Sequence, residues 1–492
     1  MTTKLGEVGG TITDGLRVTR GIPYAAPPFG AARFREPRPV EPWDGVRDCT
    51  RFGPVAPQSA ELPGAPVWRP GDEDVLTLNV WTPDDAEGPL PVLFWIHGGA
   101  YTFGSSAQPD YDGSALARAG LTVVTCNYRL GFEGFGHVPG FPDNRGLLDL
   151  IAALEWVRDH ITAFGGDPAD VTVAGQSAGA GAVACLMSSR RADGLFHRAI
   201  AHSVPDASFP PDLAAGLARQ VADAAEVPFT AEGLLSAPPR TLVAASDRVV
   251  ARYAADPDSG PLHYDTVIYG PVLDGELLTA DPFDAFADGA GRDIDLLACH
   301  TTEEYWLMHQ VGSMPPATTE DDLARFTAHW DLPDDLVERY RALMTGRPVL
   351  DIYLALAGDA LFAAHTARLA RSHARAGGRT RLSRFDRRRT RADGTTVRAW
   401  HAADVPFALG TLDAVGVDFL TGGPADADDR ALSRRMVRAW AAFATDGDPG
   451  WEQLDGRTGG PVHVWSVPAD RDEGPAEAHG LWDDVRATPL RL

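Results

Sequence analysis

Several short apolar runs follow residue 90. The clearest of them are residues 92–96 (VLFWI), 121–126 (LTVVTC) and 171–174 (VTVA). Strands of a parallel sheet covered on both faces show this pattern, because neither face meets water. Between the second and third runs, residues 146–164 repeat apolar side chains at helical spacing and end at a glycine pair. This spacing predicts a helix of about five turns.

Strand and helix patterns alternate through the rest of the chain. The later strands and the last helix are predicted at residues 266–273, 294–299, 380–385 and 432–443. Residues 205–260 and 315–375 are helical in pattern and predict insertions over one edge of the sheet. The first 90 residues are rich in turn dipeptides and predict a small antiparallel sheet. The alternation predicts an α/β fold with a mostly parallel central sheet flanked by helices. We expect residues 1–492 to form a single domain.

The balance of charge argues against two classes of partner. The chain has 68 Asp and Glu residues against 44 Lys and Arg, a formal net charge of −24. A surface of this sign repels nucleic-acid phosphates and anionic membranes and favours solubility. We therefore expect neither nucleic acid nor a membrane as a partner. Attraction of cationic substrates is the alternative interpretation of the same charge.

The lack of a secretory signal pattern and the spacing of the cysteines predict a cytoplasmic protein. Residues 1–10 contain neither the basic nor the apolar segment of a secretory signal, and the longest apolar runs are far shorter than a membrane span. The cysteines stand without a CxxC pair, at Cys49, Cys126, Cys185 and Cys299. Isolated cysteines of this kind are typical of reduced structural thiols.

A serine stands where a buried strand turns sharply into a helix. The sequence GQSAG, centred on Ser177, follows the strand at 171–174 and precedes a predicted helix at 178–187. Glycine neighbours let two backbones cross closely, and the helix start favours a developing anion. The bare motif is common by chance, but between a strand and a helix it predicts Ser177 as a nucleophile.

A glycine pair follows the strand at 92–96, in the sequence HGGAY from His97 to Tyr101. Two glycines at this point can aim main-chain N–H groups at one place, as an oxyanion hole requires. A plain turn between a strand and a helix is the alternative. The presence of the Ser177 motif favours the functional interpretation.

A nucleophilic serine needs a base within hydrogen-bond reach and a carboxylate that orients the base. Hydrolases that carry the nucleophile on such a strand-to-helix turn usually have the three residues in the chain order serine, acid, histidine. Among 14 histidines, His401 lies late in an irregular stretch, WHAADVPF, which suits a base carried on a loop. Glu303 and Glu304 follow the strand at 294–299. The residues alone leave open whether either glutamate serves, and which one.

Taken in order, these motifs resemble the type-B carboxylesterase/lipase family, which includes cholinesterases and bacterial p-nitrobenzyl esterases. The resemblance extends through most of the chain and is weaker at 205–260 and 315–375. It also rests on RGIPYAAPP from Arg20, EDVLTLNV from Glu73, NYRLG from Asn127 and FGGDP from Phe164. It implies an α/β-hydrolase fold and a triad of Ser177, His401 and Glu304.

The resemblance also implies the residues around the triad. The N–H groups of Gly99, Ala100 and Ala178 resemble the family's oxyanion donors. Ser203 and Asp404 stand where the family has a hydrogen-bonding serine and a glutamate near the histidine. We expect these two residues to support the triad.

The chain departs from the family pattern at three places. Ala56 and Val75 occupy the positions of the family's first disulfide, and the loss of both partners fits a reducing compartment. Gln176 stands where the family commonly has glutamate, so cholinesterase activity is not expected. Tyr305 replaces a small residue that often follows the triad glutamate, which is expected to reshape the pocket.

The expected activity is hydrolysis of small-molecule carboxylic esters through an acyl-enzyme, by a monomer or a homodimer. An amidase, a carbamate hydrolase or a biosynthetic acyl transferase would use the same triad and is the alternative. A non-catalytic binding module of this fold is disfavoured, because Ser177, Glu304 and His401 are all retained. No metal or organic cofactor is expected, since neither an H-E-x-x-H motif nor a P-loop occurs.

Overall fold

The computed structural model describes residues 1–59, 66–206, 208–391, 393–456, 460–483 and 485. Within them the strands are β1 Glu7–Gly9, β2 Thr11–Thr13, β3 Leu16–Pro23, β4 Val46–Asp48, β5 Thr77–Pro83, β6 Leu90–Ile96, β7 Thr122–Cys126, β8 Gly166–Gln176, β9 Arg198–His202, β10 Asp295–Thr301, β11 Thr380–Phe385, β12 Arg389–Thr390, β13 Thr396–Val397, β14 Val462–Trp465 and β15 Arg471–Glu473. The α-helices are α1 Ser114–Arg118, α2 Gly131–Phe135, α3 Arg145–His160, α4 Ala178–Ser188, α5 Pro211–Ala224, α6 Ala231–Ser236, α7 Pro239–Ala255, α8 Pro261–Tyr264, α9 Pro282–Ala287, α10 Trp306–Val311, α11 Glu320–His329, α12 Asp334–Leu343, α13 Val349–Gly358, α14 Ala364–Arg375, α15 Val405–Ala408, α16 Val417–Thr421, α17 Ala427–Asp446 and α18 Glu477–Gly480.

An eleven-stranded sheet runs through the centre of the described chain, in the order β15-β14-β11-β10-β9-β8-β6-β7-β5-β3-β2. The seven strands from β14 to β7 in this order are parallel, and the strands beyond them pair antiparallel. The predicted mostly parallel sheet is therefore confirmed. Parallel strands bring their carboxyl ends to one edge, where α/β folds usually place their binding sites.

Helices cover both faces of this sheet. Successive side chains of β6 point to opposite sides, so Phe94 and Ile96 pack with α3 and α4, whereas Leu93 and Trp95 pack with α1 and α17. Both faces of the sheet are therefore shielded from water. This burial is the physical reason that the central strands are mostly apolar in the sequence.

Most predicted elements are present near their expected positions. The strands expected at 92–96, 121–126, 171–174, 294–299 and 380–385 are confirmed as β6, β7, β8, β10 and β11. The helix expected at 146–164 is α3 followed by the 3₁₀ turn Ile161–Phe164. The helices expected at 178–187 and 432–443 are α4 and the longer α17.

The strand predicted at residues 266–273 is wrong. This fully described segment has a single bridge, between Val272 and Phe209, in place of strand pairing. The side chain of Asn144 replaces a neighbouring strand: its Oδ1 accepts the Val272 N–H and its Nδ2 donates to the Val272 carbonyl, both at 2.7 Å. Pro271 has no N–H to offer a ladder.

The antiparallel strands expected within the first 90 residues are present as β2, β3 and β5. They continue the central sheet at its edge. A separate two-stranded sheet, β1 with β4, is parallel. The amino-terminal region therefore widens the central sheet on one side.

Helices fill both segments for which insertions were predicted, with α5 to α7 in the first and α11 to α14 in the second. A π-helical turn, Asp359–Ala363, joins α13 to α14. The combined run Val349–Arg375 is long and apolar enough to cross a membrane, a length that the short apolar runs of the sequence did not indicate. Since 72% of its most apolar window is buried inside the protein, packing accounts for its apolar side chains.

All four cysteines are free thiols and are buried. Ala56 and Val75, at the positions of the family's first disulfide, are also buried, at 2% and 1% exposure. The prediction of unpaired structural cysteines is confirmed.

Candidate active site

Ser177 occupies the turn between β8 and α4. Its backbone has φ 57° and ψ −129°, a region that residues with a Cβ rarely adopt. The Ser177 N–H donates to the carbonyl of His202 on β9 at 2.9 Å. The neighbouring strand thus holds the turn in its strained conformation.

The glycines of the Ser177 motif are required by close packing. A Cβ on Gly175 would lie 2.5 Å from the carbonyl carbon of Gly179. A Cβ on Gly179 would lie 2.2 Å from the carbonyl oxygen of Ile96. A side chain at either position would push the start of α4 away from the sheet.

His401 and Glu304 form a buried pair at the carboxyl edge of the sheet. Oε2 of Glu304 lies 2.7 Å from Nδ1 of His401, and the two residues are 1% and 5% exposed. The other oxygen, Oε1, accepts hydrogen bonds from the Ser203 hydroxyl and the Thr301 N–H, each at 2.7 Å. Because an ionised carboxylate only accepts, neutral His401 carries its proton on Nδ1 and leaves Nε2 as an acceptor.

Glu303 is directed elsewhere. Its carboxylate binds Arg398 at 2.6 Å and Arg388 at 2.9 Å, and accepts the Ala399 N–H at 3.1 Å. The two adjacent glutamates thus have separate partners, and only Glu304 contacts His401.

Two further side chains contact the His401 ring. Nε2 of the Gln176 amide lies 2.9 Å from Nε2 of His401. The Phe362 ring, in the π-helical turn, packs over the imidazole with 4.3 Å between ring centres. Helical irregularities of this kind are frequent at functional sites.

The glycine turn after β6 lies directly against the Ser177 turn. A Cβ on Gly98 would be 3.1 Å from the Cβ of Ser177. Gly99 and Ala100 both have positive φ, 114° and 50°, and their N–H groups donate to none of the described residues. Ala178 begins α4, so its N–H has no acceptor within the helix. These three N–H groups remain available to a bound anion.

His97 stabilises the glycine turn in its neutral form. Burial lowers the pKa of His97 to about 4, and the hydrogen bond to the Gly98 carbonyl opposes this only in part. Its Nδ1 lies 2.8 Å from that carbonyl oxygen, and the Tyr128 hydroxyl donates to the His97 carbonyl at 2.8 Å. A neutral imidazole places no competing charge beside the turn.

Gln58 supports the same turn from outside. Its amide accepts the Gly104 N–H at 2.8 Å and donates to the Gly104 carbonyl at 2.9 Å. Gly104 in turn packs against His97, because a Cβ there would lie 2.4 Å from the His97 Nδ1. Gln58 therefore holds Gly104 against the glycine turn.

Replacing Gln58 by alanine should lower kcat by about tenfold and leave KM within about threefold, because a loosened turn aims its N–H groups less well at the transition state. Steady-state kinetics on p-nitrophenyl butyrate measure both constants. Gln108→Ala, in the half-buried turn that follows, is the matched control. An unchanged kcat in the Gln58 variant would contradict this role.

Ser203 and Asp404, the two predicted supporting residues, lie in different parts of the site. Ser203 binds the Glu304 carboxylate directly, as described above. Asp404 binds the buried His202, with 2.5 Å between Oδ2 and Nδ1. Since the His202 carbonyl also holds the Ser177 N–H, the His202–Asp404 pair connects the serine turn to the segment after His401.

The same pair lies beside Cys299, and the three ligand atoms are within 4.8 Å of one another. Such a group has the chemistry to bind a metal ion. His202 and Asp404 are hydrogen-bonded to each other through atoms that would have to bind the metal. The arrangement therefore fits an ion pair better than a metal site.

Replacing His202 by glutamine should cost stability at neutral pH and progressively less in alkali. Burial by itself lowers the pKa of His202, but Cys299, Asp404 and the hydrogen bonds to them together raise it to about 10. A raised folded-state pKa contributes stability below about pH 6.5, and that contribution is lost as the pH rises towards 10. The wild-type advantage in free energy of unfolding should shrink by at least about 1 kcal/mol between pH 7 and 10.

Urea denaturation at several pH values tests this expectation. His137→Gln is the matched control, because His137 also faces an aspartate, Asp143, but lies nearer the surface with a side chain 26% exposed. An advantage that stays constant from pH 7 to 10 would show that His202 is neutral in the folded protein.

Several residues of the site were not predicted from the sequence. Gln58, His202 and Phe362 belong to no local motif, and Gln176 was interpreted only as a missing carboxylate. Of these residues, only His202 has a sequence feature that could have indicated it. It directly precedes Ser203, which was predicted to support the triad, so a second polar contact could be expected there.

The fold and the site together define an α/β-hydrolase. Comparison with known proteins identifies the family: the model of the carboxylesterase family matches residues 1–459. The chain is 33% identical to the para-nitrobenzyl esterase of Bacillus subtilis over 474 residues, which cover 92% of this chain and 91% of that protein. It is 34% identical to the phenmedipham hydrolase of Pseudarthrobacter oxydans, with coverage of 92% and 91%.

Solved structures show the same relationship. A PNB esterase superposes with a TM-score of 0.85 at 32% identity, over 97% of each chain. The carboxylesterase Est55 of Geobacillus stearothermophilus gives a TM-score of 0.84 at 32% identity, over 98% of this chain and 99% of the other. This chain belongs to the carboxylesterase family. Its activity is the hydrolysis of carboxylic esters, and the fold predicted from the sequence is confirmed.

Proposed function

We propose that this carboxylesterase acts through a triad of Ser177, His401 and Glu304. The observation that carries the proposal is a continuous line of buried hydrogen bonds, from Ser203 through Glu304 to His401. The line ends at the ring whose Nε2 contacts Gln176, the residue directly before Ser177. A strained serine, an oriented imidazole and a buried carboxylate are the parts that acyl transfer needs.

The reaction proceeds in two halves. Ser177 Oγ attacks the ester carbonyl while Nε2 of His401 takes its proton, and the Glu304 carboxylate stabilises the imidazolium. The N–H groups of Gly99, Ala100 and Ala178 hold the negative charge that forms on the carbonyl oxygen. His401 then gives the proton to the leaving alcohol. Water repeats the sequence on the acyl-enzyme and releases the acid.

The setting of the enzyme is part of the proposal. Residues 1–492 act as one catalytic domain on a small-molecule ester in the cytoplasm, as a monomer or a homodimer. The four free, buried cysteines support a reducing compartment. The net charge of −24 argues against nucleic acid and anionic membrane surfaces as partners.

Other acyl compounds form the second candidate class, because the same triad serves amides, carbamates and acyl transfer to an acceptor other than water. The breadth of the relatives favours testing them. Besides the phenmedipham hydrolase, the fumonisin B1 esterase of Sphingopyxis macrogoltabida is 36% identical over 91% of this chain and 82% of that protein.

A hydrolysis screen tests the proposed function. The substrates are p-nitrophenyl esters of graded acyl length, aryl carbamates, an anilide and phenmedipham, each with intact-mass detection of the acyl-enzyme. We expect turnover of the esters and an acyl adduct on the peptide that contains Ser177. Faster turnover of carbamates or anilides than of every ester would favour the second candidate class.

A further inference from the structure

The general base of the proposed triad is already occupied in the free protein. The Gln176 side chain is buried, with 3% exposure, and its Nε2 lies 2.9 Å from Nε2 of His401. The opposite ring nitrogen of His401 faces the Glu304 carboxylate. Both nitrogens of the imidazole therefore have a partner, and neither partner is Ser177.

The direction of these hydrogen bonds follows from the chemistry of the groups. Nδ1–H of His401 donates to the carboxylate, so Nε2 of the neutral ring has one lone pair and can only accept. The amide nitrogen of Gln176 can only donate, and it uses that lone pair. The Ser177 hydroxyl makes no hydrogen bond with any of the described residues.

We infer that Gln176 caps His401 in the free enzyme and must release it before Ser177 can be activated. This inference rests on the proposed triad. A single lone pair cannot accept a strong hydrogen bond from both Gln176 and Ser177, so the two side chains compete for the base. Gln176 is thus a positioning residue that acts through His401, and its release precedes nucleophilic attack.

The Gln176 amide has a single hydrogen-bond partner among the described residues. Oε1 of Gln176 lies 3.0 Å from the place where a Cβ on Gly98 would stand, and it accepts no hydrogen bond from the described residues. Gly98 thus lies directly against the amide, where any side chain would crowd it. Release of His401 costs the Gln176 side chain one hydrogen bond to the described residues, the one to Nε2.

The test must account for the charged groups near His401. Glu304 contacts the ring directly, whereas the other charged groups on the surrounding elements are engaged with one another, namely Glu303 with Arg388 and Arg398, and Asp404 with His202. On the element of Phe362, Asp359 binds the Tyr340 hydroxyl. A change at position 176 therefore acts on His401 against a constant background of charge.

The experiment compares Gln176→Met, which keeps the length of the side chain without a donor, with Gln176→Glu, which can only accept. Gln453→Met, on the exposed surface, is the matched control. The first measurement is the rate of Ser177 labelling by diethyl p-nitrophenyl phosphate at alkaline pH. In this reaction Ser177 Oγ bonds to phosphorus, p-nitrophenolate leaves and His401 takes the serine proton.

Removal of the cap should accelerate labelling in Gln176→Met by about threefold to tenfold, the factor that one net hydrogen bond represents. Gln176→Glu should move the acid limb of the kcat/KM profile to higher pH than in Gln176→Met by about one pH unit, because a carboxylate favours the imidazolium. A purely structural role for Gln176 would leave that limb unchanged. Melting temperatures establish that both variants are folded.

Labelling of Gln176→Met at or below the wild-type rate would overturn the inference, and so would an identical acid limb in the Met and Glu variants. Failure of the triad proposal gives a different result. In that case Ser177→Ala would still be labelled, whereas a wrong inference about Gln176 leaves Ser177→Ala inert and the Gln176 variants at the wild-type rate.

Discussion

Ser177→Ala should lower kcat for p-nitrophenyl butyrate by about 10⁴-fold, the loss typical of a triad nucleophile. The substitution removes the atom that forms the acyl-enzyme in the proposed mechanism. It should not unfold the protein, because the hydroxyl makes no hydrogen bond to the described residues and the turn is held by its backbone. The melting temperature should therefore stay close to that of the wild type.

The control for this variant is Ser188→Ala, at the end of the helix that begins after Ser177. Among the described residues its hydroxyl binds only the Cys185 carbonyl, at 3.0 Å, and its loss should leave kcat nearly unchanged. Intact-mass analysis after reaction with diethyl p-nitrophenyl phosphate should show one adduct on Ser188→Ala and none on Ser177→Ala. Retention of more than a few per cent of wild-type turnover by Ser177→Ala would assign the nucleophile elsewhere.

Glu304→Gln should lower kcat by about 10³-fold or more, whereas Glu303→Gln should lower it by no more than about threefold. An amide at position 304 loses the charge that stabilises the imidazolium. It also loses one acceptor: if its oxygen faces His401, its NH₂ group meets the Thr301 N–H, which the carboxylate now accepts at 2.7 Å. The ring then loses its preferred tautomer or the Thr301 N–H loses its partner.

The two glutamate variants form a matched pair, because the residues are adjacent and carry the same charge. Glu303 binds two arginines and the Ala399 N–H, so its loss can disturb His401 only through the backbone. Initial rates at saturating substrate, with circular dichroism as the folding control, give the ranking. A larger loss in Glu303→Gln than in Glu304→Gln would reverse the proposed roles.

The fold was predicted correctly for strands that are buried on both faces. The strands β6, β7 and β10 are covered on both faces, and strands that meet no water on either side are mostly apolar. The segment at 266–273 is also apolar, but it has no neighbouring strand among the described residues. The side-chain amide of Asn144 instead makes the hydrogen bonds of the Val272 N–H and carbonyl. Strand β9 was missed for a related reason: its sequence RAIAH is short and charged at its ends, and its neighbours on both sides make it a strand.

For the proposed site, the sequence alone indicated the residues that carry their own local signal. Ser177 follows from glycines that a strained strand-to-helix turn requires, and His401 follows from its place in the chain order of a triad. Glu304 could be chosen over Glu303 only through resemblance to the family, because two neighbouring carboxylates look alike in a sequence. In the structure they differ in their partners, since Glu304 lies 2.7 Å from Nδ1 of His401 whereas Glu303 binds Arg388 and Arg398.

Tertiary structure alone decided which side chain meets the second nitrogen of His401. In the sequence, Gln176 is an uncharged substitute for glutamate, 225 positions from the histidine. The fold brings the end of β8 close to the loop after β13, which carries His401, and places the Gln176 amide 2.9 Å from Nε2. Local sequence determines which conformation a turn adopts, because strain and helix propensity are properties of neighbours in the chain. Competition between Gln176 and Ser177 for one lone pair depends instead on distances of a few ångströms between remote segments, which only the folded sheet sets.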